Sequence, residues 1–151
     1  YQEPDQLPAF ADYFNIFRDH LDKRIQSTIS FELGRSLTAG CGSLISKVLF
    51  VKDGAAETFV ILDAGMTDLL RPALYHAYHR IDNLTSALAE KKYSVAGPVC
   101  ETADTFARFI ELPETRRGDL IAIRSAGAYG EVMASRYNLR ALPPSVFSNK
   151  L

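Results

Sequence analysis

The sequence predicts a mainly β fold that opens with one helix and strand unit and carries one or two short helices further along. Three observations lead there. Aromatic and aliphatic residues recur at helical spacing near the start of the chain, from Phe10 to Ile25. After Gly42 the texture changes to short apolar runs rich in β-branched residues. Those runs are separated by turn formers, among them Asp53 and Gly54, Pro113, Gly118, Gly127 and Gly130.

Pro8 suits the first turn of a helix, and Phe10, Phe14, Phe17, Leu21 and Ile25 then share one face with Asp12, Arg18, Asp19 and Lys23 turned outward. Residues 8–25 are therefore expected to form an amphipathic helix. Thr28, Ile29, Ser30 and Phe31 read as a short strand, which ends at the charged loop of Glu32, Leu33, Gly34 and Arg35, with a helical turn or strand beyond. Residues 44–51, a turn at Asp53 and Gly54, and residues 58–62 make an expected hairpin. Residues 68–81 have helical spacing through Leu70, Leu74, Ala77, Tyr78 and Ile81, with Pro72 confining the regular part to the residues after it. Residues 93–99, 119–124 and 132–134 are expected strands, and the β region should be mostly antiparallel. Arg117, Gly118 and Asp119 spell an adhesion tripeptide, but between a charged loop and an apolar strand they are expected to be an ordinary turn.

At 151 residues with 47% hydrophobic side chains, the chain suits one compact domain with a substantial core. Its formal net charge of -1, with the two signs mixed, argues against nucleic acid or an anionic membrane surface as partner. No apolar run reaches the roughly 18 residues that span a bilayer, and no basic, apolar leader opens the chain. Cys41 and Cys100 do not make a disulfide framework, so a reducing, cytoplasmic location is expected. The chain starts at Tyr1 in what reads as an interrupted loop, and a fragment is expected.

Four polar clusters, with Arg71 and Tyr75 taken together, stand inside otherwise apolar segments. Gly97, Pro98, Val99, Cys100 and Glu101 put a thiol and a carboxylate side by side, a potential proton donor beside a potential cation receptor. The plainer reading is a buried cysteine at a strand end, and strand alternation would turn the two side chains to opposite faces unless the strand ends or bulges there. At Glu32 to Arg35, glycine allows a close backbone approach and the free N–H groups of a helical turn suit a phosphate; a strand end with a solvated ion pair is the alternative. Arg71 and Tyr75 are one helical turn apart, so a guanidinium fork and a phenol face the same way, either as a carboxylate receptor or as a surface stack. Tyr129 stands among Ala126, Gly127, Ala128 and Gly130, where small residues permit close approach to a planar, phosphorylated cofactor, or simply make a turn. His20, His76 and His79 lack metal-ligand spacing, so no metal is expected, and His76 and His79 read as surface helix residues.

ELGRSL at 32–37, DAGMTDLLRPALYHAYH at 63–79, GPVCE at 97–101, GDLIAIRSAGAYG at 118–130 and MASRYNLR at 133–140 together resemble the diaminopimelate decarboxylases. These are fold-type III, pyridoxal-phosphate-dependent decarboxylases related to alanine racemase and ornithine decarboxylase. The arginine and tyrosine of RPALY favour the diaminopimelate branch.

The resemblance implies a homodimeric, two-domain enzyme of lysine biosynthesis, with a (β/α)8 barrel holding pyridoxal 5'-phosphate and a C-terminal β-barrel or sandwich completing the site. Residues 1–40 would be the last helix and strand unit of that barrel, and residues 41–151 the β domain. The family reaction converts meso-2,6-diaminopimelate, a diamino acid, to L-lysine and carbon dioxide. In it the cofactor takes up the electrons left at Cα, and the protein supplies orientation and protons. By resemblance, Gly34 and Arg35 would hold the cofactor phosphate and Tyr129 would sit at the cofactor. Arg35, Arg71 and Tyr75 would grip the substrate carboxylate remote from the reacting carbon. Cys100 would be the proton donor near Cα and Glu101 the receptor of the distal ammonium, both reaching into the partner subunit's site. Leu33 stands where the family usually has proline, with minor consequences expected because the backbone does the binding. The family's cofactor-anchoring lysine has no counterpart among Lys23, Lys47, Lys52, Lys91, Lys92 and Lys150, and the glycine-rich phosphate loop is absent. The chain alone is therefore expected to be inactive. A related ornithine, arginine or carboxynorspermidine type of decarboxylase, and a barrel-less β module for dimerisation or binding, are the alternatives.

Overall fold

A computed structural model of the chain describes residues 9–21, 25 and 27–148. Its centre is a six-stranded sheet built from β1 (Leu44–Asp53), β2 (Thr58–Leu62), β3 (Ile81–Asn83), β4 (Glu90–Ala96), β5 (Thr105–Pro113) and β6 (Leu120–Ile123), in the spatial order β3-β6-β1-β2-β4-β5. The expected hairpin is present: β1 and β2 pair antiparallel, with Val51 opposite Val60 and Asp53 opposite Thr58, and a register shift between Val48 and Phe50. Gly54 closes the turn by donating its N–H to the Glu57 carbonyl at 2.9 Å. All other pairings are antiparallel except β2 with β4, which runs parallel through Phe59 and Ser94.

The two edge strands, β3 and β5, come back into contact, so the sheet curls into a nearly closed barrel. The seam is held by polar side chains. Asn83 donates through Nδ2 to Thr115 Oγ1 at 3.0 Å, just beyond the end of β5, and Ser86 Oγ donates to the Glu114 carbonyl at 2.8 Å. Inside lie Val48, Val60, Leu62, Val95, Phe106, Leu112, Ile121 and Ile123, all buried. Each such side chain contributes about 1.5–3 kcal/mol by leaving water. Tyr93 belongs to the same core and keeps its hydroxyl satisfied by accepting the Thr115 N–H at 3.2 Å.

The opening helix, α1 (Phe10–Leu21), lies within the expected 8–25, of which Pro8 and residues 22–24 fall outside the described residues. Its aromatic face packs on Phe31, which meets Phe14 at 4.9 Å and Phe17 at 5.0 Å between ring centroids. Residues 28–31 are not a strand: they run without a ladder partner among the described residues, and a strand exists only through its neighbour. The helical turn expected beyond Arg35 is α2 (Arg35–Thr38).

The helix expected over 68–81 shrinks to α3 (Arg71–Tyr75). His76 adopts a left-handed backbone, φ 51, and its N–H caps the Arg71 carbonyl, which ends the helix. Beyond it, Ile81 pairs with Ile123 in the core, so sheet formation overrides the helical spacing. Residues 132–134, expected as a strand, contain part of a 3-10 turn, Glu131–Met133, in which Val132 is exposed. β5 and β3 had no clear signal: Phe109 sits at φ 55 and breaks the alternation of β5, and β3 is very short. The tripeptide at 117–119 is a turn, with Gly118 at φ 94 and Asp119 accepting from Asn83 and the Arg116 N–H.

Candidate functional site

Arg71 and Tyr75 stand at the two ends of α3, where helical geometry superposes them. The Arg71 guanidinium lies 5.2 Å from the Tyr75 ring centroid and 5.9 Å from that of Tyr129. The three residues and Met133 line an open pocket of about 410 Å³, within the roughly 300–1,000 Å³ of small-molecule sites. Two aromatic faces steady the cation while leaving its N–H edge available to an acceptor. Arg71 Nε is buried and has no hydrogen-bond partner among the described residues.

Tyr129 reaches this position from a tight turn and has a left-handed backbone, φ 63. Gly127 explains the approach: its N–H donates to the Ala39 carbonyl at 3.0 Å, and a Cβ there would collide with the Thr38 carbonyl. The Ala126 N–H donates to the Gly42 carbonyl at 2.9 Å. These bonds seat the Tyr129 turn on the segment that begins with Gly34, itself at φ 57, and Arg35.

His79, four residues beyond Tyr75, is buried. Its Nδ1 lies 2.8 Å from the Arg124 carbonyl, which can only accept, so that nitrogen carries the proton. Burial holds the ring below the usual histidine range, aided by the positive charges of Arg35 and Arg71 and opposed by the Arg124 carbonyl. These effects favour the neutral ring, whose Nε2 lone pair is buried with no partner among the described residues.

Cys100 and Glu101 lie elsewhere. β4 ends at Ala96, so both residues belong to a loop rather than a strand, and both are exposed. The carboxylate of the buried Asp104 organises this loop by accepting the Val99 N–H at 2.7 Å, while the Asp104 N–H donates to the Glu101 carbonyl at 3.0 Å. Its other oxygen accepts the Met66 N–H at 2.6 Å, tying the loop to the turn that leads into α3. In that turn, the Gly65 N–H donates to Asp68 Oδ2 at 2.7 Å, and Arg140 Nε donates to Thr67 Oγ1 at 3.1 Å. Glu101 lines a second pocket, of about 320 Å³, with Met66, Thr67, Leu70, Ala103, Ser135 and Tyr137.

The structure thus gathers Arg71, Tyr75 and Tyr129, seats the Gly34 and Arg35 segment against the Tyr129 turn, and places Cys100 and Glu101 apart from the Arg71 pocket. It corrects His79, which is neither exposed nor helical, and places Cys100 at the surface. Asp104, Thr67 and Arg140 carried no signal of their own, because each works through bonds to residues remote in sequence.

The profile described as "Pyridoxal-dependent decarboxylase, C-terminal sheet domain" matches residues 18–127. The chain belongs to this family. It is 54% identical to the diaminopimelate decarboxylase of Bacteroides thetaiotaomicron over 96% of its own length and 38% of that relative's. The crystal structure of the Helicobacter pylori diaminopimelate decarboxylase complexed with L-lysine superposes with a TM-score of 0.82 at 45% identity, covering 90% of this chain and 34% of that one. The Methanocaldococcus jannaschii diaminopimelate decarboxylase, also with L-lysine, gives 0.84 at 39% identity, covering 95% and 34%. The chain therefore spans little more than a third of the length of these relatives.

The residues present fit the family's pyridoxal cofactor: a tyrosine ring on a close-packed glycine turn, with the Gly34 and Arg35 segment bonded to that turn. A planar, anionic molecule suits that donor set.

Proposed function

We propose that this chain is the C-terminal part of a diaminopimelate decarboxylase, which releases carbon dioxide from meso-2,6-diaminopimelate to form L-lysine in the cytoplasm. The observation that carries this reading is the Arg71 guanidinium held between Tyr75 and Tyr129 at the mouth of a small-molecule pocket. A substrate with a carboxylate at the end remote from the reacting carbon needs such a receptor, and a simple diamine does not. Residues 1–40 are read as the end of a cofactor-binding barrel and residues 41–151 as the β domain, in keeping with a sheet whose first strand starts at Leu44.

When bound, pyridoxal phosphate would supply an electron sink at the reacting carbon. The chain's own residues orient and protonate. Gly34 and Arg35 would hold the phosphate through backbone N–H groups, and Tyr129 would sit at the cofactor. Arg71 and Tyr75, with Arg35, take the distal carboxylate. Glu101 receives the distal ammonium, and Cys100 delivers a proton to Cα.

The family resemblance assigns the last two roles to the opposite subunit's site in a homodimer, and Glu101 lining a different pocket from Arg71 supports that division. The test uses the B. thetaiotaomicron enzyme with its matching third replaced by this chain. Arg71→Ala and Cys100→Ala should each abolish decarboxylation. Mixed and refolded together, they should regain about a quarter of the parent activity, because half the dimers are hybrids with one intact site each. No recovery in demonstrably mixed dimers would refute the shared site, and full activity of Arg71→Ala would refute the carboxylate receptor. Exchange of Arg71 should also erode the preference for diaminopimelate over ornithine and lysine.

A further inference from the structure

Tyr137 lines the same pocket as Glu101, and the roles above leave it unexplained. Much of the remaining wall there is apolar, from Met66, Leu70 and Ala103. Half of the Tyr137 surface is exposed, so burial in a core does not account for its placement.

The backbone around this ring is clamped on both sides. The Ser135 N–H donates to the Thr67 carbonyl at 2.9 Å, and Arg140 Nε donates to Thr67 Oγ1 at 3.1 Å. The Arg140 guanidinium also donates to the Asp63 carbonyl and lies 3.6 Å from the Asp68 carboxylate. Tyr137 therefore stands between two anchors on one turn, residues 63–68. In the span between those anchors, Asn138 and Leu139 both take left-handed backbones, at φ 54 and φ 57. That conformation is unfavourable for leucine, and the Leu139 side chain, 98% exposed, is too bare to offset it by packing. A strained turn held by remote bonds, with nothing gained at the strained residue, points to the side chain that the turn presents, and that is Tyr137.

A carboxylate and an aromatic ring lining one largely apolar pocket make a receptor for an organic ammonium ion. The carboxylate accepts its N–H bonds, and the negative face of the ring takes the side left over and keeps water from it. We propose that Tyr137 is a substrate-binding residue that, with Glu101 of the same chain, encloses the distal ammonium of the substrate held in the opposite subunit's site. The ring face does this, and the hydroxyl is not needed. The inference rests on the assignment of Glu101 as ammonium receptor.

The experiment again uses the B. thetaiotaomicron enzyme carrying this chain. L-Lysine keeps the ammonium and carboxylate of the substrate's distal centre, and 6-aminohexanoate lacks only that ammonium. The ratio of their affinities, measured by calorimetry, therefore reads the ammonium site. Tyr137→Leu, which removes the ring and keeps an apolar side chain, should cut the advantage of L-lysine by about tenfold. It should raise KM for diaminopimelate by a similar factor while kcat falls less than about threefold, the pattern of lost uniform binding. Tyr137→Phe should keep both. Hybrid dimers of Tyr137→Leu with Arg71→Ala, purified through two different tags, have one working site, made from the intact Arg71 of one subunit and the intact Tyr137 of the other. Its KM should equal that of the parent. A hybrid that is inactive or keeps the raised KM would overturn the proposal, as would equal losses of L-lysine and 6-aminohexanoate in Tyr137→Leu. If Glu101→Gln lowers the affinity ratio and Tyr137→Leu does not, this inference alone falls. If Glu101→Gln leaves the ratio unchanged, the receptor assignment falls and this inference with it.

Discussion

The Asp104 carboxylate accepts the Met66 backbone N–H at 2.6 Å across a sequence separation of 38 residues. Through that bond, the loop carrying Cys100 and Glu101 and the turn leading to Arg71 and Tyr75 are built on one buried side chain. Asparagine at position 104 would present an oxygen and an NH2 group where two N–H donors converge, on Met66 and Val99. Asp104→Asn should cost about 1–3 kcal/mol in chemical denaturation at neutral pH.

The same carboxylate gives a pH signature. Burial raises the Asp104 pKa above the ordinary aspartate value, although the Val99 and Met66 N–H groups pull it down. A raised folded value means that the folded state binds the proton more tightly than the unfolded chain does. The stabilisation from this group is complete below the unfolded pKa and is lost as pH rises through the folded one. The stability of the unaltered chain relative to Asp104→Asn should therefore be greatest in acid and should decline across that window.

Glycine at position 97 is a packing requirement. A Cβ there would run into both Asp104 carboxylate oxygens and stand 2.5 Å from Gly65 Cα. Gly97→Ala should cost at least the roughly 1–3 kcal/mol of ordinary overpacking, because one of the neighbours is backbone. Gly118→Ala meets nothing within 4 Å and suffers only from its backbone angle, φ 94, so about 1 kcal/mol is expected. Melting temperatures of the two variants should fall in that order.

Asp82 shows the opposite titration. Burial would raise its pKa, but the bonds from Arg124 and Arg80 overrule it and hold the carboxyl below the ordinary range. Its stabilisation is present above the unfolded aspartate pKa and is lost as pH falls through the depressed folded value. Both arginines are substantially exposed, so screening limits the worth of the cluster, and Asp82→Asn should cost about 1 kcal/mol at low salt. The difference from the unaltered chain should shrink in 1 M salt, where the Debye length is about 3 Å, and vanish in strong acid.

In the barrel interior, Leu62 is fully buried, whereas Ile45 on β1 is more than half exposed. Leu62→Ala should lose about 2–5 kcal/mol in denaturant unfolding. Ile45→Ala should stay within about 0.5 kcal/mol of the parent.

Much of this architecture is written in short-range order. The β1–β2 hairpin arises from β-branched runs flanking Asp53 and Gly54, because strand propensity and turn chemistry act over a few residues. The stacking of Arg71 on Tyr75 comes from one turn of helix, whereas the close approach that Gly127 makes is to the Thr38 carbonyl, a partner that the small residues around Tyr129 do not name. The family, too, was legible, since its motifs keep their order along the chain. The helix over 68–81 misled because spacing reports a common face without saying whether a helix or a sheet will use it. Ile81 was claimed by Ile123.

The residues themselves thus determined a β-rich member of the decarboxylase family and a guanidinium with aromatic company. Tertiary structure decided the rest. The parallel step from β2 to β4 and the return of β3 to β5 brought Asp104 to Met66, buried His79 against the Arg124 carbonyl, and put Glu101 in a different pocket from Arg71. Periodicity encodes which way a side chain faces within its own element. The partner it meets there depends on the order in which distant strands pair, which is settled by burial of the whole core at once.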